Sequence, residues 1–325
     1  EKALNISLNN DSASGRFDDA MLTELVSEIS AETRGLFDAL DLGVFLQEVE
    51  DSGQSGSSGQ SGDQTPPVSE TAAPESSFGQ VYALGRHRVL CGDSCDNSLL
   101  TKFLPETKVN MLFTDPPYGV DYDGGVFHSE KPNTKNKRKK LVADDSADIY
   151  HKFIPAILPF VDGPCYMWTA NKSSADAILA VRASGADLHS IIVWHKINAT
   201  YAAMNAQYKE RHELCLYFKP KGSTLRWCGP SDERTLWEME RSAKNNWHPT
   251  QKPVALAERA IKNHEVDTIL DCFAGSGSTV IAAETLGKTC YGVEIDPRYV
   301  DVIRRRYAEF VYGDGCDWVS VTPSI

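Results

Sequence analysis

The chain has 325 residues, 41% of them hydrophobic and 24% charged, enough to bury a sizeable core and typical of a globular protein. No apolar run approaches the roughly 18 residues that span a bilayer and the first residues are polar and acidic, so no membrane contact and a cytoplasmic location are expected. A net charge of -12 disfavours a nucleic-acid partner only until it is divided, since residues 1–80 carry 15 acidic against 3 basic side chains and residues 81–325 carry 30 against 30.

Residues 1–50 hold much of that acidity. Met21, Leu22, Leu25, Val26 and Ile29 recur at helical spacing, and Leu36, Phe37, Leu40, Leu42, Val44 and Phe45 extend the apolar pattern, which predicts a small helical unit. Residues 51–77 are rich in Gly, Ser, Gln and Pro around SGQSGSSGQSG, a composition that builds no core and reads as a flexible linker. Residues 78–312 then alternate strand-like and helix-like segments. VNMLFTD (109–115), GPCYMWT (163–169), SIIVWH (190–195), ELCLYF (213–218), DTILDCF (267–273) and TCYGVEI (289–295) read as strands, most of them too continuously apolar for a surface hairpin. Helical candidates lie at 148–160, 173–184, 252–263, 277–287 and 297–310. This alternation predicts an α/β domain whose mostly parallel sheet has helices on both faces and binds ligands beyond the carboxyl ends of its strands. Residues 313–325 read as a C-terminal tail. The eight cysteines are scattered, several of them in strand-like runs, so reduced core residues and no metal site are expected.

The first chemically informative segment is TDPPYG, Thr114 to Gly119, at the end of a strand. Pro116 and Pro117 fix the backbone and leave carbonyls with no neighbouring amide. Asp115 and the Pro116 carbonyl can accept both hydrogens of an amino group on a flat ring, while Tyr118 can stack on that ring. Holding the nitrogen in this way directs its lone pair outward and makes it nucleophilic. Next comes a basic block in the loop 120–147, where Lys135, Lys137, Arg138, Lys139 and Lys140 are candidate phosphate contacts and a solvated loop is the other reading. Residues 219–247 interleave Arg226, Trp227, Arg234, Trp237, Arg241 and Lys244, a mixture suited to nucleic acid, with Arg226 and Arg241 as candidate contacts. The last segment is DCFAGSGST, Asp271 to Thr279, between a strand and a helix. Gly275 and Gly277 permit a tight turn and close ligand approach, and the helix from Ser278 aims free amides at an anion. Asp271, Phe273, Ser276 and Thr279 complete this candidate cofactor loop. Glu294, about 20 residues on at the end of the next strand, is placed to accept from both hydroxyls of a ribose.

DPPY at 115–118, HPTQKP at 248–253 and FAGSGS at 273–278, in that order, resemble the β group of DNA amino-methyltransferases, whose catalytic motif precedes the cofactor motif. The resemblance covers residues 80–312. It implies a Rossmann-like methyltransferase fold with permuted motif order, S-adenosylmethionine as cofactor and double-stranded DNA as substrate, with a homodimer open as an assembly. The implied reaction methylates N6 of a flipped-out adenine, with N4 of cytosine as the alternative. By the same resemblance Thr250 and Lys252 meet the cofactor carboxylate. Asp93, in VLCGDSCD (89–96), either contacts the cofactor adenine or belongs to an ordinary strand-end turn. Trp194 either borders the target base or sits in the core, and His212 reads as a satisfied structural histidine. The stretch before residue 30 weakly resembles the end of a ParB-like module found upstream of phage-type methylases. An RNA or protein amine methyltransferase and a catalytically inactive regulatory module are further alternatives; the former more often carries Asn in place of Asp115, and intact motifs argue against the latter.

Overall fold

The computed structural model describes residues 73–117, 149–197, 208, 210–240 and 252–325. The acidic segment 1–50, most of the linker and the basic loop 120–147 lie outside the described residues, as do Tyr118, Arg241, Lys244 and the motif residues His248 to Gln251.

The described strands are β1 (Val81–Leu84), β2 (His87–Cys91), β3 (Met111–Thr114), β4 (Cys165–Thr169), β5 (Asp187–Lys196), β6 (His212–Lys219), β7 (Leu236–Met239), β8 (Thr268–Asp271) and β9 (Thr289–Glu294). They form one sheet in the order β1-β2-β9-β8-β3-β4-β6-β5-β7. From β2 to β4 every neighbouring pair is parallel. β1 runs antiparallel to β2, β6 antiparallel to both β4 and β5, and β7 parallel to β5.

The helices are α1 (Asn97–Phe103), α2 (Ile149–Ile157), α3 (Ser174–Ala183), α4 (Val254–Lys262), α5 (Ser278–Thr285), α6 (Pro297–Tyr312) and α7 (Trp318–Val321). They cover both faces of the sheet, as β3 illustrates. Met111 and Phe113 pack into a core with Leu256 and Ile261 of α4, Val280 of α5 and Ile303 of α6, while Leu112 points the other way, among Leu100 of α1, Phe153 of α2 and Val181 of α3. Burial on both faces is why these central strands read as unbroken apolar runs rather than alternating ones. The mostly parallel α/β sheet with helices on both faces expected from the sequence is therefore present, and the antiparallel pairings of β1 and β6 make it a mixed one.

Three short strands and two short helices went unread. β1 and β2 form a hairpin turned by Gly85 and Arg86, in which Gly85 has φ +55 and a Cβ there would lie 2.2 Å from Tyr307 Oη. Residues 313–325, read as a tail, contain α7 and continue alongside β1, where Pro323 O accepts from Ala83 N and Ile325 N donates to Val81 O. Arg304 of α6 holds this end, donating to Thr322 Oγ1 at 3.0 Å and to its carbonyl at 2.9 Å while lying 4.2 Å from the Tyr82 ring.

Candidate active site

Strand order decides where chemistry is possible. From β8 the chain crosses through α5 to β9, on one side; β3, on the other side of β8, is followed in the sheet by β4. The carboxyl ends of β8 and β3 therefore border a crevice at the point where connections diverge, the usual ligand position in an open α/β sheet. Asp115, Pro116 and Pro117 follow β3 there, and the glycine-rich loop follows β8. A side-chain bond joins the two ends, since Thr114 Oγ1 donates to Asp271 Oδ1 at 3.2 Å.

Asp271 was read as a cofactor contact. The structure turns it inward: it is 4% exposed and accepts from Thr279 Oγ1 at 2.6 Å and from the Phe273 amide at 3.2 Å as well as from Thr114. Burial pushes its carboxyl up to about 6, against the pull of these donors. Asp271 and Thr279 thus shape the loop from beneath. Arg306 of α6 fastens its middle, donating from Nη1 to the Ser276 carbonyl at 2.9 Å and to Ser278 Oγ at 3.3 Å.

The two loop glycines have different physical roles. Gly275 has φ +52, and a Cβ on it would meet nothing nearer than the Phe273 carbonyl at 4.0 Å, so this side of the loop is open to a ligand. Gly277 caps α5 at φ +83, and a Cβ there would lie 3.0 Å from Ile303 Cγ2. Its necessity comes from packing against α6 and from a left-handed backbone rather than from ligand approach.

Glu294 ends β9 beside this loop. Its Oε2 accepts from the Gly275 amide at 2.9 Å and its Oε1 from the Asp296 amide at 2.9 Å. Burial pushes the carboxyl up to about 7 even against these two donors. Asp93 is brought close by the register of β2 on β9, in which Cys91 faces Glu294 and the Gly92 amide donates to the Glu294 carbonyl at 2.9 Å. Its own carboxylate caps the following turn, accepting from Cys95 N at 2.8 Å. Glu294 and Asp93 thus stand at adjacent strand ends beside the open flank of Gly275.

Lys252 lies between two carboxylates. Expected beside a cofactor carboxylate, it bonds Asp115 Oδ2 and lies 3.0 Å from Glu213 Oε2, with its ammonium 5.4 Å from the Trp168 ring. Burial pulls the ammonium down, but the charges of Asp115 and Glu213 outweigh it and raise the pKa above the ordinary lysine value. On Glu213 burial acts upward, and Lys252 and Lys196 together bring the carboxyl down to about 2. The Lys252 carbonyl accepts from Ser278 Oγ at 2.9 Å, so one residue is tied to the Asp115-Pro116-Pro117 segment by its side chain and to the start of α5 by its backbone.

Glu213 and Lys196 were missed as site residues. Glu213 stands at the start of β6, before its apolar run, and Lys196 at the end of β5, positions where a charge in the sequence reads as solvent-facing. His212, next to Glu213, is exposed rather than a satisfied core histidine. Trp194 is a core residue, 2% exposed, with Nε1 donating to the Met239 carbonyl at 3.0 Å. Trp237, expected on a nucleic-acid surface, is instead 1% exposed beneath Arg259, whose guanidinium lies 4.9 Å from its ring. Arg226 lies at the surface with Asp162 at 3.7 Å, beside Trp227, which packs edge-on against His264. The structure does not bring Arg226 to the crevice residues by any described contact. Tyr118, Thr250, Arg241 and Lys135 to Lys140 fall outside the described residues.

Residues 109–305 match the family model described as DNA methylase, of the N6/N4 class. Among curated relatives, the Type II methyltransferase M2.MboI of Moraxella bovis is 26% identical over 228 residues, which cover 63% of this chain and 82% of that protein. M2.DpnII of Streptococcus pneumoniae is 26% identical over 240 residues, covering 64% and 85%. Among solved structures, the PvuII DNA methyltransferase, titled cytosine-N4-specific, superimposes with a TM-score of 0.56 at 16% identity, covering 75% of this chain and 94% of that one. The fold is thus that of the S-adenosylmethionine-dependent DNA methyltransferases. Because the family match spans more than half of the chain and takes in both loops that meet at the crevice, this protein belongs to the DNA methylase family of amino-methyltransferases.

Proposed function

We propose that the protein methylates N6 of adenine in double-stranded DNA, using S-adenosylmethionine, as the modification enzyme of a restriction–modification pair. The observation that carries this is the juxtaposition of Asp115-Pro116-Pro117 with the glycine-rich loop, fixed by the Thr114–Asp271 bond across neighbouring strand ends.

S-adenosylmethionine, when bound, supplies an electrophilic methyl group. Glu294 would hold its ribose hydroxyls, Asp93 its base, and the open flank of Gly275 leaves room for both. The remaining work belongs to the catalytic segment. An arylamine lone pair is delocalised into its ring, so the amine must be held toward tetrahedral geometry to attack. Asp115 and the Pro116 carbonyl each accept one amine hydrogen, and the fixed proline backbone lets them do so without reorganising. The proton that nitrogen sheds on methylation leaves along Asp115. A duplex hides this amine, so the base must leave the stack, at about a few kcal/mol.

Asp115→Ala should abolish methyl transfer and leave cofactor affinity within a few fold, because Asp115 serves the amine. Isotope-labelled methyl transfer and calorimetric titration read the two separately. Transfer at a near wild-type rate by the variant contradicts the assignment.

A further inference from the structure

The charges beside Asp115 form a chain of alternating sign. Lys196 Nζ on β5 lies 2.5 Å from Glu213 Oε1 on β6; Lys252 Nζ, just before α4, lies 3.0 Å from Glu213 Oε2 and bonds Asp115 after β3. The two ammonium groups sit near indole rings, Lys196 5.2 Å from Trp194 and Lys252 5.4 Å from Trp168. Exposed pairs of this kind contribute little, but here Lys252 is 9% exposed and a lone ammonium there would be costly. Two carboxylates flank it, and Lys196 balances the second, so the four groups sum to zero. Exposure is lowest at Lys252 and rises to 29% at Asp115, the end that an incoming amine must meet.

We propose that Glu213 is a positioning residue for methyl transfer, holding Lys252 against Asp115 with Lys196 behind it, so that the Asp115 carboxylate is aimed before the base arrives. The proposal rests on the assignment of Asp115 above. Without Glu213, Lys252 has Asp115 as its sole carboxylate within this chain of four, closes over the oxygen that the amine requires, and leaves Lys196 without its acceptor. Among the described residues, the buried Cys215 thiol on β6 and the Asp271 carboxyl behind Thr114 also act on this cluster.

The test measures kcat, cofactor Kd and the pH profile of kcat for the wild type, Glu213→Gln, Glu213→Asp and Lys196→Gln, with Asp115→Ala as reference. Glu213→Gln should lower kcat by about 10- to 100-fold with cofactor Kd within about twofold. The alkaline limb of its profile should move to lower pH, because Lys252 loses one of the two carboxylates that raise its pKa. Glu213→Asp should recover part of the rate. Wild-type kcat with an unmoved alkaline limb in Glu213→Gln overturns the proposal. If Glu213→Gln loses cofactor affinity through misfolding, Lys196→Gln decides: a lowered kcat at unchanged Kd supports the proposal, and an unchanged kcat overturns it. An active Asp115→Ala would instead overturn the assignment of the site itself.

Discussion

Glu294 has both carboxylate oxygens occupied by main-chain amides and a pKa raised to about 7 by burial. Ribose hydroxyls are donors, so they favour the ionised form. As pH falls through 7 the carboxyl takes up a proton and stops accepting, so cofactor affinity should fall by about tenfold between pH 8 and pH 6. Calorimetry across that range checks it. In Glu294→Ala the dependence should disappear together with about 1.5–3 kcal/mol of binding free energy. Gly277 tests packing instead. Gly277→Val places branched carbon against Ile303 in a left-handed backbone, and should lower unfolding stability by about 2–4 kcal/mol, read from the denaturant midpoint. At this scale the sequence disclosed residue types better than orientations. Asp271 and Glu294 both carry acids at strand ends, yet the first faces Thr279 and Thr114 in the interior while the second borders the loop's open flank.

Among the elements, α6 does more than cover the sheet. Its Arg306 clamps the glycine-rich loop and its Arg304 the C-terminal segment, from side chains 3% and 2% exposed. Arg306→Met should loosen the loop and cost about 1.5–3 kcal/mol of stability, with a weaker cofactor affinity, as thermal unfolding and titration together would register. The elements legible in the sequence were those buried on both faces or long enough to show a period, such as β4 with five buried residues and α6 with sixteen residues. β7 was not legible, because four residues of which only Trp237 is buried are too short to show a strand period, and the contact that covers that ring comes from Arg259 of a distant helix. Nor could spacing reveal the meeting of Lys252 with Glu213, since β4 stands between β3 and β6 and the charges converge only at the strand ends.

For the molecule as a whole, charge is divided along the chain rather than shared. The acidic excess lies in residues 1–80, and residues 81–325 are neutral with a basic block outside the described residues. If Lys135, Lys137, Arg138, Lys139 and Lys140 contact phosphates, replacing all five by Gln should weaken binding to every duplex about equally and flatten the slope of log affinity against log salt by about 0.9 per lost contact. A solvated loop predicts identical slopes. Duplex DNA incubated with the full chain and S-adenosylmethionine, then digested to nucleosides and weighed by mass spectrometry, should yield N6-methyldeoxyadenosine, and none when Asp115→Ala replaces the wild type. N4-methyldeoxycytidine in its place would contradict the choice of adenine, and the absence of any methylated nucleoside from DNA treated with the wild-type protein would contradict methyl transfer to DNA.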